Sequence, residues 1–207
     1  MVVLGLDTTG ADCSACVVRD ETVLAYLSEP IGRGHAERLA PMVVEVLREA
    51  GVTPEDIDRI AVCTGPGSFT GLRVALSFAK GFALPRRTPV VGIDALAATY
   101  LSSDLSPAHA MVWTDVKRGQ IMFGTYSGAG PLIKGEPKTG TREDMRKDAE
   151  PYQFDVLEAL SVDVRVIAKA VATMPADHLT SYPANPLYAR APDAKLPGGI
   201  TPPAQPA

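Results

Sequence analysis

The chain has 207 residues, 46 % apolar and 21 % charged, with a net charge of −4. That length buries a real core without staples, as one large domain or two small lobes. The acidic balance argues against a nucleic-acid-coating protein, and no apolar run reaches the length of a membrane span.

Met1 to Asp7 has no basic n-region and reaches a carboxylate at once, so it does not read as a signal peptide; the expected location is cytoplasmic. Val2 to Leu6 reads as a buried strand ending in the polar turn Asp7-Thr8-Thr9-Gly10. Ser14 to Val18 and Val23 to Leu27 return as two more strands. Cys13 and Cys16 form a C-x-x-C within this pattern. No second pair completes a zinc site, so small strand residues are the expectation. Glu29 to Gly34 reads as a loop.

A helix is expected from about His35 to Ala50, stopped by Gly51. Pro41 within it suggests a kink or a start near residue 39. Thr53-Pro54-Glu-Asp56 is a short capped turn, and Ile60 to Cys63 is a strand. After the loop from Thr64 to Arg73 a second helix spans about Thr70 to Leu84. Pro89 to Ile93 is a strand, and Asp94 caps a short helix to Leu101. Residues 102–108 read as a linker, which divides the chain into an N-terminal lobe, 1–103, and a smaller C-terminal lobe, 104–207.

Beyond the linker the opening recurs. Ala110 to Thr114 is a strand, Asp115 to Gln120 a polar turn, and Ile121 to Tyr126 the returning strand. A strand–Asp–turn–strand unit at 2–18 and again at 110–126 marks duplicated lobes. Residues 139–153 are polar and read as loop or exposed turn. Ser161 to Thr173 reads as a helix with Val162, Val166, Ala170 and Val171 on one side. Eight of the 18 prolines fall in Pro175–Ala207, so the C-terminus is expected to be largely extended, with its last ten residues disordered.

The two long helices carry more apolar surface than one sheet needs. At about 100° per residue, the apolar residues of 35–50 spread over about 200°, where a stripe of about 100° suffices. On 70–84 the only charges, Arg73 and Lys80, share one narrow face. Other parts of the chain could cover this excess. A partner interface is the alternative, with Leu39, Met42, Val43, Val46, Leu47, Ala75, Phe78, Ala79 and Phe82 as its residues.

The chemistry-bearing candidates are few. Gly65-Pro66-Gly67-Ser68-Phe69-Thr70-Gly71-Leu72-Arg73 lacks the lysine of a phosphate-binding P-loop. It also has one residue too many for the dinucleotide pattern. Its expected role is structural: the glycines turn the chain and Ser68 or Thr70 caps the helix, although the helix-start N–H groups could hold an anion. The histidines, His35, His109 and His178, lie far apart with no metal-ligand spacing, and no metal is expected. Asp7 and Asp115 are the better carboxylates. Across a two-lobed cleft they could bind Mg²⁺–nucleotide, with Thr8 and Thr9 as weaker candidates; otherwise each caps its own turn.

"LGLDTT", "HAERLAPMVVEVLREAG", "IAVCTGPGSFTGLRVALSFAKGFAL", "PVVGIDAL" and "NPLYARAPDAK" together resemble the TsaB (YeaZ) family. The resemblance is dense over 2–101 and looser over 110–126 and 185–195. It implies an α/β, two-lobed actin/sugar kinase/Hsp70-like fold, each lobe a mixed β-sheet with flanking helices. It also implies a non-catalytic partner of TsaD. With the ATPase TsaE, that complex transfers a threonylcarbamoyl group to N6 of adenosine 37 in ANN-decoding tRNAs, using an adenylate from TsaC-type enzymes. In TsaD two histidines four apart bind the metal; the matching positions here are Asp94 and Ala98. The resemblance therefore places ATP and metal in partner subunits, with no cofactor on this chain. It further implies a homodimer when alone, and tRNA contact only through the complex. The runner-up is an ATP-dependent kinase or hydrolase of the same fold using Asp7 and Asp115. A metallopeptidase ranks below it, for want of ligands. One departure is expected: a glycine-bearing strand between 139 and 161 is not evident, which suggests a trimmed second lobe.

Overall fold

The computed structural model describes residues 1–103, 109–128, 133–152 and 154–189. Two mixed sheets organise it. The first runs β3-β2-β1-β4-β5, from β1 (Val2–Asp7), β2 (Asp12–Arg19), β3 (Thr22–Pro30), β4 (Arg59–Cys63) and β5 (Val90–Ile93). β1, β2 and β3 form an antiparallel meander; β4 and β5 add in parallel, as their helical crossovers require. The second sheet is built from β6 (Ala110–Asp115), β7 (Ile121–Ser127), β8 (Lys134–Gly135), β9 (Lys138–Gly140) and β10 (Asp155–Glu158). Its order is β10-β6-β7-β8, with β9 also on β7. The same antiparallel pair and parallel neighbour recur, so the duplicated unit is present in three dimensions.

Helices α1 (His35–Ala50) and α2 (Phe69–Ala83) lie side by side on one face of the first sheet. This corrects the expectation of an uncovered apolar surface. Leu39, Met42, Val43, Val46, Leu47, Ala75 and Ala79 are all buried against β1, β2, β4 and the neighbouring helix. A helix that packs on a sheet and on another helix needs the wider stripe that both carry. Only Phe78 and Phe82 of the nine expected interface residues remain half-buried. Pro41 neither starts nor ends α1, because it sits on the exposed side, where solvent can satisfy the carbonyl it leaves unpaired.

Helices α3 (Ala95–Ser102) and α5 (Val164–Thr173) fill the space between the two sheets in one core. α5 starts at Val164, three residues later than expected, with Asp163 as its cap. It lies in the second half of the sequence yet packs on β1, β2 and β4 of the first sheet. Val166, expected on the buried side, is only half-buried; Ile167 and Ala168 lie inward instead.

The stretch 139–153, expected to be loop, contains α4 (Arg142–Ala149). A capping box starts it: Asp144 accepts from the Thr141 N–H at 2.9 Å, and Thr141 Oγ1 accepts from the Asp144 N–H at 3.1 Å. Met145 and Ala149, one turn apart, then seat on Met111, Trp113, Ile121 and Phe123 of the second sheet. The strand thought to be missing from the second lobe is β10, which pairs with β6 without any glycine. Part of the linker and all of the tail from residue 190 lie outside the described residues. Among the described residues no helix is long and apolar enough to cross a membrane.

Candidate functional site

Asp7 ends β1 and Asp115 ends β6, and both line one cleft of about 520 Å³. Its other walls are Thr9 to Asp12, the loop Pro66-Gly67-Ser68, Thr114 to Lys117, Ala159 to Val162, and Ala189. The sequence expectation that these carboxylates share a cleft is met in geometry. So is the capping alternative. Asp7 Oδ1 accepts from the Thr9 N–H at 2.9 Å, and Asp115 Oδ1 from the Lys117 N–H at 2.5 Å, the same i to i+2 turn in each repeat.

The two acids differ in environment. Asp7 is 4 % exposed, and burial pushes its carboxyl above the ordinary value of 3.8 against the hydrogen bonds from Thr9. Asp115 is exposed. A carboxyl raised in this way is held more readily protonated folded than unfolded. Its favourable contribution is complete below pH 3.8 and is lost as pH rises through the folded value. Asp7→Asn, which keeps the acceptor and removes the charge, is therefore expected to raise the urea midpoint at pH 7.5. The gain should shrink toward zero as pH falls to the ordinary carboxylate range. Equal midpoints for the two proteins at pH 7.5 would show that Asp7 is not held in a desolvated site.

Thr8 does not face the cleft. It is fully buried, and its hydroxyl donates to the Gly71 carbonyl at 2.6 Å. Thr9 remains in the wall, its carbonyl accepting from the Ser68 N–H at 2.7 Å. The turn after β1 is thus bolted to the glycine loop. Of the two caps considered for α2, Ser68 is the one used, accepting from the Gly71 N–H at 3.2 Å. Gly65 takes φ 91°, the left-handed turn the loop requires.

Asp94 and Ala98 lie apart from the cleft. The Asp94 carboxylate caps α3 by accepting from the Ala97 N–H at 2.8 Å, and also accepts from the Tyr126 hydroxyl at 2.8 Å. Burial raises its proton affinity, and Ala98 is buried with no donor atom. Among the described residues no three of His, Cys, Asp and Glu converge on a metal position. Asp94 and Ala98 therefore do not fit the metal that the resemblance implies at these positions in TsaD, and no step through it is derived. Cys13 and Cys16 are fully buried in different cores, on opposite faces of β2. Burial pushes their thiols up to about 11 and about 12, so they are packing residues rather than a redox pair.

On its other side the glycine loop borders a groove of about 480 Å³ between α1 and α2. Ala36, Leu39, Phe69, Thr70, Arg73, Val74, Ser77 and Phe78 line it. Phe69 is 40 % exposed, and Val44 on α1 and Leu84 just past the end of α2 are also open to solvent. Beside the groove lies Tyr188. Its ring stands 5.0 Å from that of Phe69, and its hydroxyl accepts from Arg73 Nε at 3.0 Å. Periodicity gave no signal for Tyr188 and put Ser161 and Val162 into the following helix; both segments are irregular and are placed by long-range contacts.

Two repeated sheets, paired Asp turns and a shared cleft define the two-lobed α/β class of actin-like ATPase folds. The solved structure of YeaZ from Pseudomonas aeruginosa has the same fold, with a TM-score of 0.70 at 24 % identity, covering 90 % of this chain and 99 % of that one. The family model TsaD, tRNA N6-adenosine threonylcarbamoyltransferase, matches residues 28–163. The chain belongs to the family that this model describes, on its TsaB/YeaZ branch. The tRNA threonylcarbamoyladenosine biosynthesis protein TsaB of Escherichia coli is 38 % identical over 128 residues, 61 % of this chain and 55 % of that one. Bacillus subtilis TsaB is 27 % identical over 160 residues, 77 % of this chain and 66 % of that one. The chain thus spans between 55 % and 66 % of these curated relatives. An uncharacterised Mycobacterium tuberculosis protein is 30 % identical over 201 residues, 93 % of each chain.

Proposed function

We propose that this chain is the non-catalytic partner of a TsaD-type subunit. Together with a TsaE-type ATPase, that subunit transfers a threonylcarbamoyl group to N6 of adenosine 37 in ANN-decoding tRNAs. The observation that carries the reading is the fate of Asp94 and Ala98. Where TsaD-type relatives hold metal, one side chain is spent on a helix cap and a tyrosine, and the other is a methyl group. The relatives named TsaB support the pathway.

The docking face in this reading is the α1–α2 groove, smaller than the sequence suggested and centred on Phe69, Val74 and Phe78. An exposed apolar groove beside a cation is suited to a protein partner. Without its partner the chain pairs through the same face with a second copy. ATP, metal and tRNA contacts belong to the other subunits.

The test is reconstitution of tRNA modification with TsaC, TsaD and TsaE homologues of the same organism. Omitting the chain is expected to lower the rate more than about tenfold, and Val74→Glu, a charge forced into the groove, to have the same effect. An unchanged rate without the chain would sink the proposal. The second reading, a nucleotide-hydrolysing enzyme, draws on Asp7 and Asp115 lining one cleft. Sub-millimolar binding of Mg-ATP by the isolated chain in calorimetry, lost in Asp7→Asn, would favour it.

A further inference from the structure

Among the described residues Arg73 is the one cation lining the groove. Its guanidinium carbon lies 3.8 Å above the Phe69 ring and 5.8 Å from the Tyr188 ring. Its Nε is occupied by the Tyr188 hydroxyl at 3.0 Å. Among the described residues no carboxylate pairs with Arg73, whereas Arg38 on the neighbouring helix holds both Glu29 and Glu45. The side chain is therefore fixed by two aromatic rings and one hydroxyl, with its two terminal nitrogens uncommitted and exposed.

Tyr188 reaches this place on a strap from the far end of the chain. The Gly92 N–H donates to the Tyr182 carbonyl at 2.9 Å, and the Leu187 N–H donates to the Thr64 carbonyl at 2.8 Å. Ala189 then passes into the cleft wall, its carbonyl accepting from the Thr139 hydroxyl at 3.3 Å. A tyrosine anchored on both sides in this way loses little further freedom when a partner binds, and neither does the arginine it holds.

We infer that Arg73 is the specificity-determining residue of the groove and receives a partner's Asp or Glu carboxylate end-on, with Tyr188 as the residue that positions it. Occupation of Nε blocks a side-on approach and leaves the terminal fork, whose planar pair of donors matches two carboxylate oxygens. The apolar floor of Leu39, Val74 and Phe78 calls for a partner segment that carries its acid beside apolar residues. A nucleic-acid phosphate fits the fork equally, but the net charge of −4 and the apolar floor favour protein. The inference rests on the groove being the partner face proposed above.

The test is calorimetry of the full chain against the same-organism TsaD homologue at about 50 mM and about 300 mM salt. The wild-type affinity is expected to fall several-fold with salt. Arg73→Gln should weaken binding about tenfold at low salt and flatten the salt response, and Arg73→Lys should recover only part. Tyr188→Phe keeps the ring and loses the hydroxyl. It should cost a few-fold in affinity and move the Arg73 Nε–H resonance in ¹⁵N spectra of the free chain, a change that loss of packing alone would not produce. If Val74→Glu abolishes binding while Arg73→Gln and Tyr188→Phe bind like wild type, the groove stands and this inference falls. If Val74→Glu also binds like wild type, the groove reading falls and takes the inference with it. Arg73→Gln that spares TsaD binding but weakens capture of a tRNA anticodon stem-loop would overturn the carboxylate assignment in favour of phosphate.

Discussion

Gly71→Ala is expected to lower stability by about 3 kcal/mol or more, a loss that urea denaturation reads directly. Gly71 sits in the first turn of α2 against the turn that follows β1. A methyl there would fall inside the radius of the Thr8 carbonyl oxygen, with the Ser68 side chain close behind. The obstacle is backbone, so no rotamer change relieves it. Either the helix end lifts from the sheet or the Asp7–Thr9 turn moves. The first displaces Phe69 and Arg73 from the groove, and the second displaces Asp7 in the cleft. Gly81→Ala on the same helix is the control. Among the described residues nothing lies within 4 Å of a methyl there. It should stabilise by about 0.5–1 kcal/mol, the ordinary helix preference of alanine over glycine. A loss at Gly71 no larger than the gain at Gly81 would contradict the close approach.

The second large effect is at Arg59. This residue begins β4, is 6 % exposed, and donates from Nη1 to the carbonyls of Val171 at 2.8 Å and Met174 at 2.5 Å. Both acceptors lie at the end of α5. The carbonyl of Val171 would ordinarily accept from residue 175, but Pro175 has no N–H. The Met174 N–H reaches the Val171 carbonyl only at 3.4 Å; Arg59 supplies the shorter bond, and its charge suits the negative end of the helix dipole. Burial pulls its proton affinity down, yet an arginine stays charged throughout the working pH range. Arg59→Met keeps much of the stem, removes the donor to the Met174 carbonyl and leaves Val171 only the long bond from the Met174 N–H. It should cost about 2–4 kcal/mol. Because α5 packs across β1, β2 and β4 of the first sheet, hydrogen exchange in α5 should rise with it. An exchange pattern unchanged from wild type would show that the cap is dispensable.

Much of the fold was legible in the sequence. Short apolar runs bounded by polar turns marked β1, β2, β6 and β7; Gly51 marked the end of α1, and Asp94 the start of α3. These signals are local: a short apolar run between turns or a cap's side chain acts within a few residues. The missed elements carried weaker local signals. In α4 only Met145 and Ala149 face the sheet, so its apolar stripe is too thin to read, although its capping box was there to be found. In β10 only Leu157 packs well, and its short run lacked the glycines expected by analogy.

The site divides along the same line. Composition and spacing by themselves determined the duplicated strand–Asp–turn–strand unit, the loop that launches α2, and the want of histidine ligands. They could not determine which apolar side chains stay outside. A helical wheel counts apolar residues without knowing that α1 and α2 lie side by side on one sheet. That arrangement buries seven of the nine expected interface residues and leaves Phe78 and Phe82 partly open. Nor could they place Tyr188 on Arg73, a contact between residues 115 positions apart. Burial and such long-range pairing depend on how separate elements share one core, and only the tertiary structure decides that.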